Sequence, residues 1–248
     1  MLSTKDNELL TRTGPGTPMG TLLRRFWLPV LLAEELPEPD GAPVRIRIMS
    51  EDLVAFKDSK GRIGLLEAAC LHRRASLFWG RNEEEGLRCS YHGWKYDVDG
   101  NCVDMPNDPE GDALKSKVKA VSYPAVERGG VIWAYMGPPE LQPELPGLEW
   151  ASLPHANKII TKRWQQNNWA QALEGGIDHS HGSFLHQRLP GSEQSKTISS
   201  GAMEYMMADK HPKFSVKQTD YGLQIAARRD SGENYYWRIT QYLAPVNT

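Results

Sequence analysis

The sequence runs to 248 residues, 40% hydrophobic and 24% charged, with a formal net charge of −2. That balance suits a globular chain of one large or two modest domains, and its lack of basicity gives no support to nucleic-acid or anionic-membrane binding. No window reaches the ~18 uninterrupted apolar residues of a membrane span, and the polar start MLSTKDNELLTRTG has no apolar signal core, so a cytoplasmic location is the default expectation.

The first predicted element is a short helix over residues 17–28, with Thr17 as cap, Pro18 at its first position and Pro29 ending it. Val44, Ile46 and Ile48 alternate with polar residues as in a half-buried strand. LVAF at 53–56, RIGLLEAA at 62–69 and GVIWAYMG at 130–137 continue the β pattern. The stretch GPPELQPELPG at 137–147 is too rich in proline and glycine for regular structure. It marks a linker, placed at 141–150, between a mostly β domain over 1–140 and a second domain over 151–248. The second domain is expected to open with a strand-like IITKRW, followed by a helical run over 168–186 and a final hairpin turning at 230–234. About 100 residues after the linker are few for such a domain, and the last strand has no evident partner, so the C-terminal part is expected to be missing.

Only three cysteines occur, Cys70, Cys89 and Cys102, an odd count that does not make a disulfide framework. Five of the seven histidines fall within residues 70–92 and 179–186. The first cluster reads C-L-H, sixteen residues, then C-S-Y-H: Cys70, His72, Cys89 and His92. Thiolates and imidazoles at this spacing are metal ligands. The ligand types alone leave an iron–sulfur cluster and a structural zinc site open, beside buried cysteines with surface histidines and no metal.

The second cluster runs from Asn168 to His186. On an ideal helix Glu174, Asp178 and His181 share one face. His186 lies five residues beyond His181, about 140° around the helix, so the helix must bend or end if both imidazoles are to meet one ion. Gly175, Gly176 and Gly182 make that plausible. A polar helix face with surface histidines is the plain alternative, and His179 reads as exposed or as a supporting residue.

The flanks of both clusters decide between these readings. Cys70-Leu-His72-Arg73 and Cys89-Ser-Tyr-His92-Gly93-Trp94-Lys-Tyr96 resemble the Rieske motif of aromatic-ring-hydroxylating oxygenases. NWAQALEGGIDHSH resembles the mononuclear iron region of the same family. With RTGPGTPMGTLLRRFWLPV, these segments place the resemblance closest to the phthalate dioxygenase type of α subunit. The resemblance implies an α+β chain: a Rieske all-β [2Fe–2S] domain, then an incomplete helix-grip-like catalytic domain with a curved antiparallel sheet. It implies a [2Fe–2S] cluster on Cys70, His72, Cys89 and His92, two cysteines on one iron and two histidines on the other. It implies Fe(II) on His181 and His186, with a third, carboxylate ligand not in this chain, since Asp209, Asp220 and Asp230 come too early. Asp178 matches the aspartate that bridges a ligand histidine and a Rieske histidine of a neighbouring subunit.

The implied partners are an NADH-dependent flavin and iron–sulfur reductase, an aromatic acid and O2, with a homotrimer or stacked trimers at full length. The implied reaction is hydroxylation of a phthalate-like acid, with O-demethylation of a methoxylated acid or simple electron carriage as alternatives. Respiratory Rieske proteins carry an extra cysteine in each loop, where this chain has Ala75 and Tyr91, and a serine where it has Trp94. A lower potential is therefore expected. Arg73, Arg74 and Lys95 are candidates for a basic reductase-docking patch, though equally ordinary solvated charges. Arg238, with Arg228 or Arg229 second, is the expected partner of the substrate carboxylate.

Overall fold

Ser3 opens the first helix, α1 (Thr4–Thr11), by accepting a hydrogen bond from the Asp6 N–H. The structure, a computed structural model, describes residues 2–108, 112–186 and 200–248. Thr17 caps α2 (Pro18–Leu23) through Gly20 N–H, with Pro18 at the first position. The helix stops short of residue 28 because Trp27 has already entered a strand, β1 (Trp27–Leu32). Pro29 is tolerated there since the register against the partner strand shifts between Pro29 and Leu31, a bulge that spares the missing N–H.

Three antiparallel sheets follow. Strands β2 (Val44–Ile48), β3 (Glu51–Lys57) and β4 (Ile63–Glu67) form a meander. Strands β5 (Arg81–Glu83), β6 (Gly86–Arg88), β7 (Lys95–Tyr96) and β8 (Cys102–Asp104) form a second, four-stranded sheet. After the single turn α3 (Asp112–Lys115), β9 (Ala125–Arg128) and β10 (Val131–Tyr135) complete the sheet β1-β10-β9. The main core joins Val54, Phe56, Leu66, Leu77, Leu87 and Tyr96, and all three cysteines lie within it.

The chain divides into two compact units, Met1–Trp164 and Gln165–Thr248. The proline-rich stretch therefore does not run between them. Its Pro143 carbonyl accepts from Trp27 Nε1–H at 2.9 Å, and Leu145 and Leu148 pack on Trp27, Val131, Trp133 and Tyr135. Lack of regular hydrogen bonding made it look like a tether, but its leucines have an apolar surface to cover. Residues 159–164 form no strand; Ile159 is 94% exposed, while Ile160 packs on the cluster of Trp27, Val131, Trp133 and Tyr135.

In the second unit the run over 168–186 is two helices, α4 (Trp169–Ile177) and α5 (Gly182–Leu185). The break falls at residues 178–181. Helix α6 (Ser200–Ala208) and strand β11 (Lys213–Thr219), neither foreseen, precede the hairpin of β12 (Gly222–Ser231) and β13 (Asn234–Leu243). The sheet is antiparallel in the order β11-β12-β13, pairing Ala227 with Arg238 and Ile225 with Thr240. Ile225, Ala227 and Arg229 form its buried side. Among the described residues no helix is long and apolar enough to cross a membrane.

Candidate metal centres

The two Cys–His segments fold into loops of the same design. Cys70 N–H donates to Ala75 O and Cys89 N–H to Trp94 O, both at 2.8 Å. Arg74 N–H returns to Cys70 O at 2.8 Å and Gly93 N–H to Cys89 O at 3.1 Å. The fifth residue of each loop is left-handed, Arg74 at φ 57° and Gly93 at φ 79°. Glycine is needed in the second loop, where a Cβ would sit 2.6 Å from Pro106 Cγ. The first loop tolerates arginine, at a cost of about 1 kcal/mol for the left-handed backbone, and its guanidinium reaches Glu67 Oε2 at 2.7 Å.

Both thiols are 2% exposed. Burial pushes the Cys70 thiol up, against the Tyr96 hydroxyl 3.3 Å from its sulfur. The same hydroxyl accepts from Leu71 N–H at 3.2 Å. His72 and His92 lie half-buried with ring centroids 4.5 Å apart. Burial, then the charges of His92 and Arg73, lower the His72 pKa and favour the neutral imidazole that a metal requires. His72 Nδ1 is buried without a hydrogen-bond partner. A buried orphan nitrogen beside two buried thiols fits a metal–ligand bond and otherwise costs desolvation energy. Tyr96 escaped the sequence reading, although its alternation with Trp94 in the HGWKY run marks it as inward-facing.

Of the three candidate cations near the cluster, Arg73 and Arg74 are exposed and Lys95 is buried. Lys95 is 8% exposed with its Nζ on Glu84 at 3.0 Å, and Arg74 is taken by Glu67. Folding brings an acidic partner to each, which the linear sequence does not reveal.

In the second unit Asp178 ends α4. Its Oδ1 accepts from Ser180 N–H at 2.8 Å and Ser180 Oγ–H at 2.6 Å; its Oδ2 lies 3.1 Å from His181 N and 2.9 Å from His181 Nδ1. Burial works to raise the Asp178 pKa, but the bonds from Ser180 and His181 outweigh it and hold the carboxyl well below the usual range. The ionised carboxylate fixes the His181 proton on Nδ1 and leaves Nε2 as a lone-pair donor. His181 opens the short α5 and His186 closes it, and their rings lie 5.3 Å apart across that single turn. Glu174 does not join them; its side chain is exposed.

His179 is not an exposed residue. It is 4% exposed and its Nε2 lies 2.9 Å from Thr240 Oγ1. Its carbonyl takes the Nη2–H of Arg229, an arginine fully buried in the sheet, whose Nη1 has no partner. Arg238 shares that sheet face; it is exposed and its Nη1 lies 3.9 Å from Met206 Sδ. Arg228 turns to the opposite face, over the Tyr235 ring. Asp209 spends both carboxylate oxygens on backbone, Oδ1 on His211 N–H and Oδ2 on Asp230 N–H, while Asp220 and Asp230 are exposed. Among the described residues no three His, Cys, Asp or Glu side chains converge on one ion. The second unit thus presents two imidazoles, and the first presents two pairs suited to two irons.

Paired loops, each offering one buried thiol and one half-buried imidazole on a small β framework, define a Rieske-type iron–sulfur domain. The Rieske [2Fe–2S] domain family matches residues 26–124, and the family described as LigXa C-terminal domain like matches 134–248. The chain is 44% identical over 252 residues to the phthalate 4,5-dioxygenase oxygenase subunit of Pseudomonas putida, covering 99% of this chain and 57% of that protein. It is 43% identical to the 3-chlorobenzoate-3,4-dioxygenase oxygenase subunit of Comamonas testosteroni, covering 99% and 56%. It is 40% identical to the 5,5'-dehydrodivanillate O-demethylase oxygenase subunit of a Sphingobium species, covering 96% and 55%. The solved structure of dicamba monooxygenase bound to dicamba superposes with a TM-score of 0.63 at 23% identity, over 84% of this chain and 57% of that one, which speaks to the fold. This chain belongs to the Rieske oxygenases, a family of oxidoreductases with a [2Fe–2S] cluster and a mononuclear iron. It spans little more than half the length of these relatives.

Proposed function

We propose that this chain is the terminal oxygenase component of a cytoplasmic Rieske system. It receives electrons from an NADH-dependent flavin and iron–sulfur reductase and hydroxylates a phthalate-like aromatic acid by cis-dihydroxylation. The observation that carries the reading is the presence of two different donor sets on one chain. An electron carrier needs only the first; the Asp178–His181 pair beside His186 has no role in one.

In this reading Cys70 and Cys89 hold one iron of the cluster and His72 and His92 the other. His181 and His186 hold the mononuclear iron, completed by a carboxylate that matches none of Asp209, Asp220 or Asp230. That iron supplies the activation of O2 beside the substrate. The chain's own residues prepare both sites. Burial keeps water from the two thiols, and Tyr96 O–H supports the Cys70 sulfur. Asp178 keeps the His181 proton on Nδ1 and stays charged at neutral pH, ready to accept a hydrogen bond from a Rieske histidine of a neighbouring subunit in a homotrimer or stacked trimers. Arg238, solvent-accessible on the sheet face that also bears Thr240 and Arg229, is the candidate for the acid's carboxylate.

Removal of a methyl group from a methoxylated acid is the second reading, supported by the 40% identity to an O-demethylase subunit. Full-length protein assayed with reductase, NADH and candidate acids separates the two, by diol formation against formaldehyde release. Iron content separates both from a carrier, at about three per full-length chain against two. A colourless protein holding one zinc per chain would overturn the proposal entirely.

A further inference from the structure

Each cluster loop fixes its own shape by hydrogen bonds between its ends, but those bonds do not set the spacing of one loop against the other. No covalent link does so either: the three cysteines are free, and Ala75 and Tyr91 carry no thiol. Contacts cross between the loop segments at both ends, and the His72 and His92 rings, 4.5 Å apart, are one of them. Tyr96 O–H reaches Cys70 Sγ and Leu71 N, at the thiol end. At the imidazole end, Trp94 lies face to face on His72, with centroids 4.7 Å apart and planes within 9°.

A stack of two rings is shallow with respect to sliding and rotation, because offset geometries differ little in energy. The imidazole's own χ2 is broad as well. The indole here is restrained by something else. It is 8% exposed, and its Nε1–H donates to Asn107 Oδ1 at 2.7 Å. Asn107 follows β8 and belongs to neither loop. The His72 ring is thus set by an indole whose rotation is set by a third segment, while its Nδ1 stays buried and unpaired.

We infer that Trp94 and Asn107 act as a positioning pair for the cluster: Asn107 locks the indole, and the indole locks the plane and distance of His72. The pair takes the part that a cross-loop disulfide would take in a chain with a cysteine in each loop. The inference rests on the reading of His72 as a cluster ligand. It assigns to the exposed Asn107 side chain an effect on the cluster that it cannot exert by burial or by contact with a thiol.

The test uses the 248-residue chain with its cluster and follows two readouts, the rate at which a chelator bleaches the visible absorbance and the cluster's midpoint potential. Asn107→Leu keeps the side-chain volume and removes the acceptor; Trp94→Phe keeps a stacking ring and removes the donor. Asn107→Leu is expected to leave the starting iron content unchanged, to speed bleaching about two- to tenfold, the worth of one hydrogen bond, and to shift the potential. In the Trp94→Phe background the same Asn107→Leu change is expected to alter neither readout. Bleaching unaffected by Asn107→Leu, or accelerated equally in both backgrounds, overturns the inference while leaving the ligand reading intact. A wild-type chain that forms no iron–sulfur chromophore overturns the ligand reading and the inference with it.

Discussion

Replacing Asp178 by asparagine tests how the second site is built. The carboxylate receives four bonds, two at each oxygen: Ser180 N–H and Oγ–H at Oδ1, His181 N–H and Nδ1–H at Oδ2. Asparagine keeps the shape but turns one oxygen into an NH2 group, so two acceptor contacts are lost whichever way the amide faces. Hydrogen bonds to a charged group contribute about 1.5–3 kcal/mol each when buried. The Asp178 side chain is 37% exposed, so water recovers part of that, and the net loss comes to about 1–3 kcal/mol for the turn at residues 178–181. The chemical effect is sharper. An NH2 group facing His181 moves the imidazole proton to Nε2, the atom a metal would use, and an amide carbonyl facing it is a weaker partner than a carboxylate. Removing such a supporting partner lowers metal affinity about 10–100-fold. The assay is Fe(II) binding to full-length Asp178→Asn protein by competition with a chelator, alongside the cluster's EPR signal and substrate turnover. The expected outcome is an unchanged cluster signal, weakened Fe(II) and turnover reduced by at least the same factor. Fe(II) affinity and turnover both within about twofold of wild type would show that the carboxylate neither orients His181 nor serves as a bridge.

Tyr96→Phe removes the hydroxyl beside Cys70 Sγ and should lower the cluster potential by roughly 50 mV, the equivalent of about 1 kcal/mol for one electron; a redox titration showing no shift refutes the contact. Arg74→Gly relieves the left-handed strain of about 1 kcal/mol but loses an exposed ion pair and frees the unfolded chain, two costs of similar combined size. Thermal unfolding should therefore move by less than about 1 kcal/mol, and a large change in either direction would mean the loop's fifth position is misjudged. Glu83 is held to about 2 by the Arg81 guanidinium and then by Arg88. A carboxylate with a depressed folded pKa stabilises above its ordinary range and loses that stabilisation as pH falls. Unfolding followed from pH 4.5 towards 2 should steepen in wild type and flatten in Glu83→Gln. Arg238→Ala in the full-length enzyme should raise KM for the aromatic acid without disturbing either iron signal, and an unchanged KM removes Arg238 from the substrate site.

The candidate metal ligands stand out in the sequence because they fall at fixed local spacings. A Cys-x-His or Cys-x-x-His pair sits within one loop, and the loop's own hydrogen bonds, Cys70 with Ala75 and Cys89 with Trp94, are short-range. Four of the first unit's ten strands, β2, β3, β4 and β10, were readable for a similar reason, since a pattern such as the alternation at Val44, Ile46 and Ile48 reports a sheet face within one segment. What the sequence left open depends on distant partners. Pro29 looked like a helix stop until β10 supplied a bulged neighbour, and the proline-rich stretch looked like a linker until Trp27 and Trp133 gave its leucines a surface. Residues 159–164 have the composition of a strand but join none of the sheets of the described residues. For His179 the sequence leaves an exposed and a supporting role open, and contacts with Thr240 and Arg229, 61 and 50 residues away, exclude the exposed one. Lys95 and Arg74 each lie beside a carboxylate, Glu84 and Glu67, that their local sequence does not indicate. Sequence fixes which donor atoms exist and how the backbone presents them over a few residues. Tertiary structure decides which side chains lie beside them, because burial, orphaned atoms, ring stacks and paired charges all arise between segments that the chain's order holds apart.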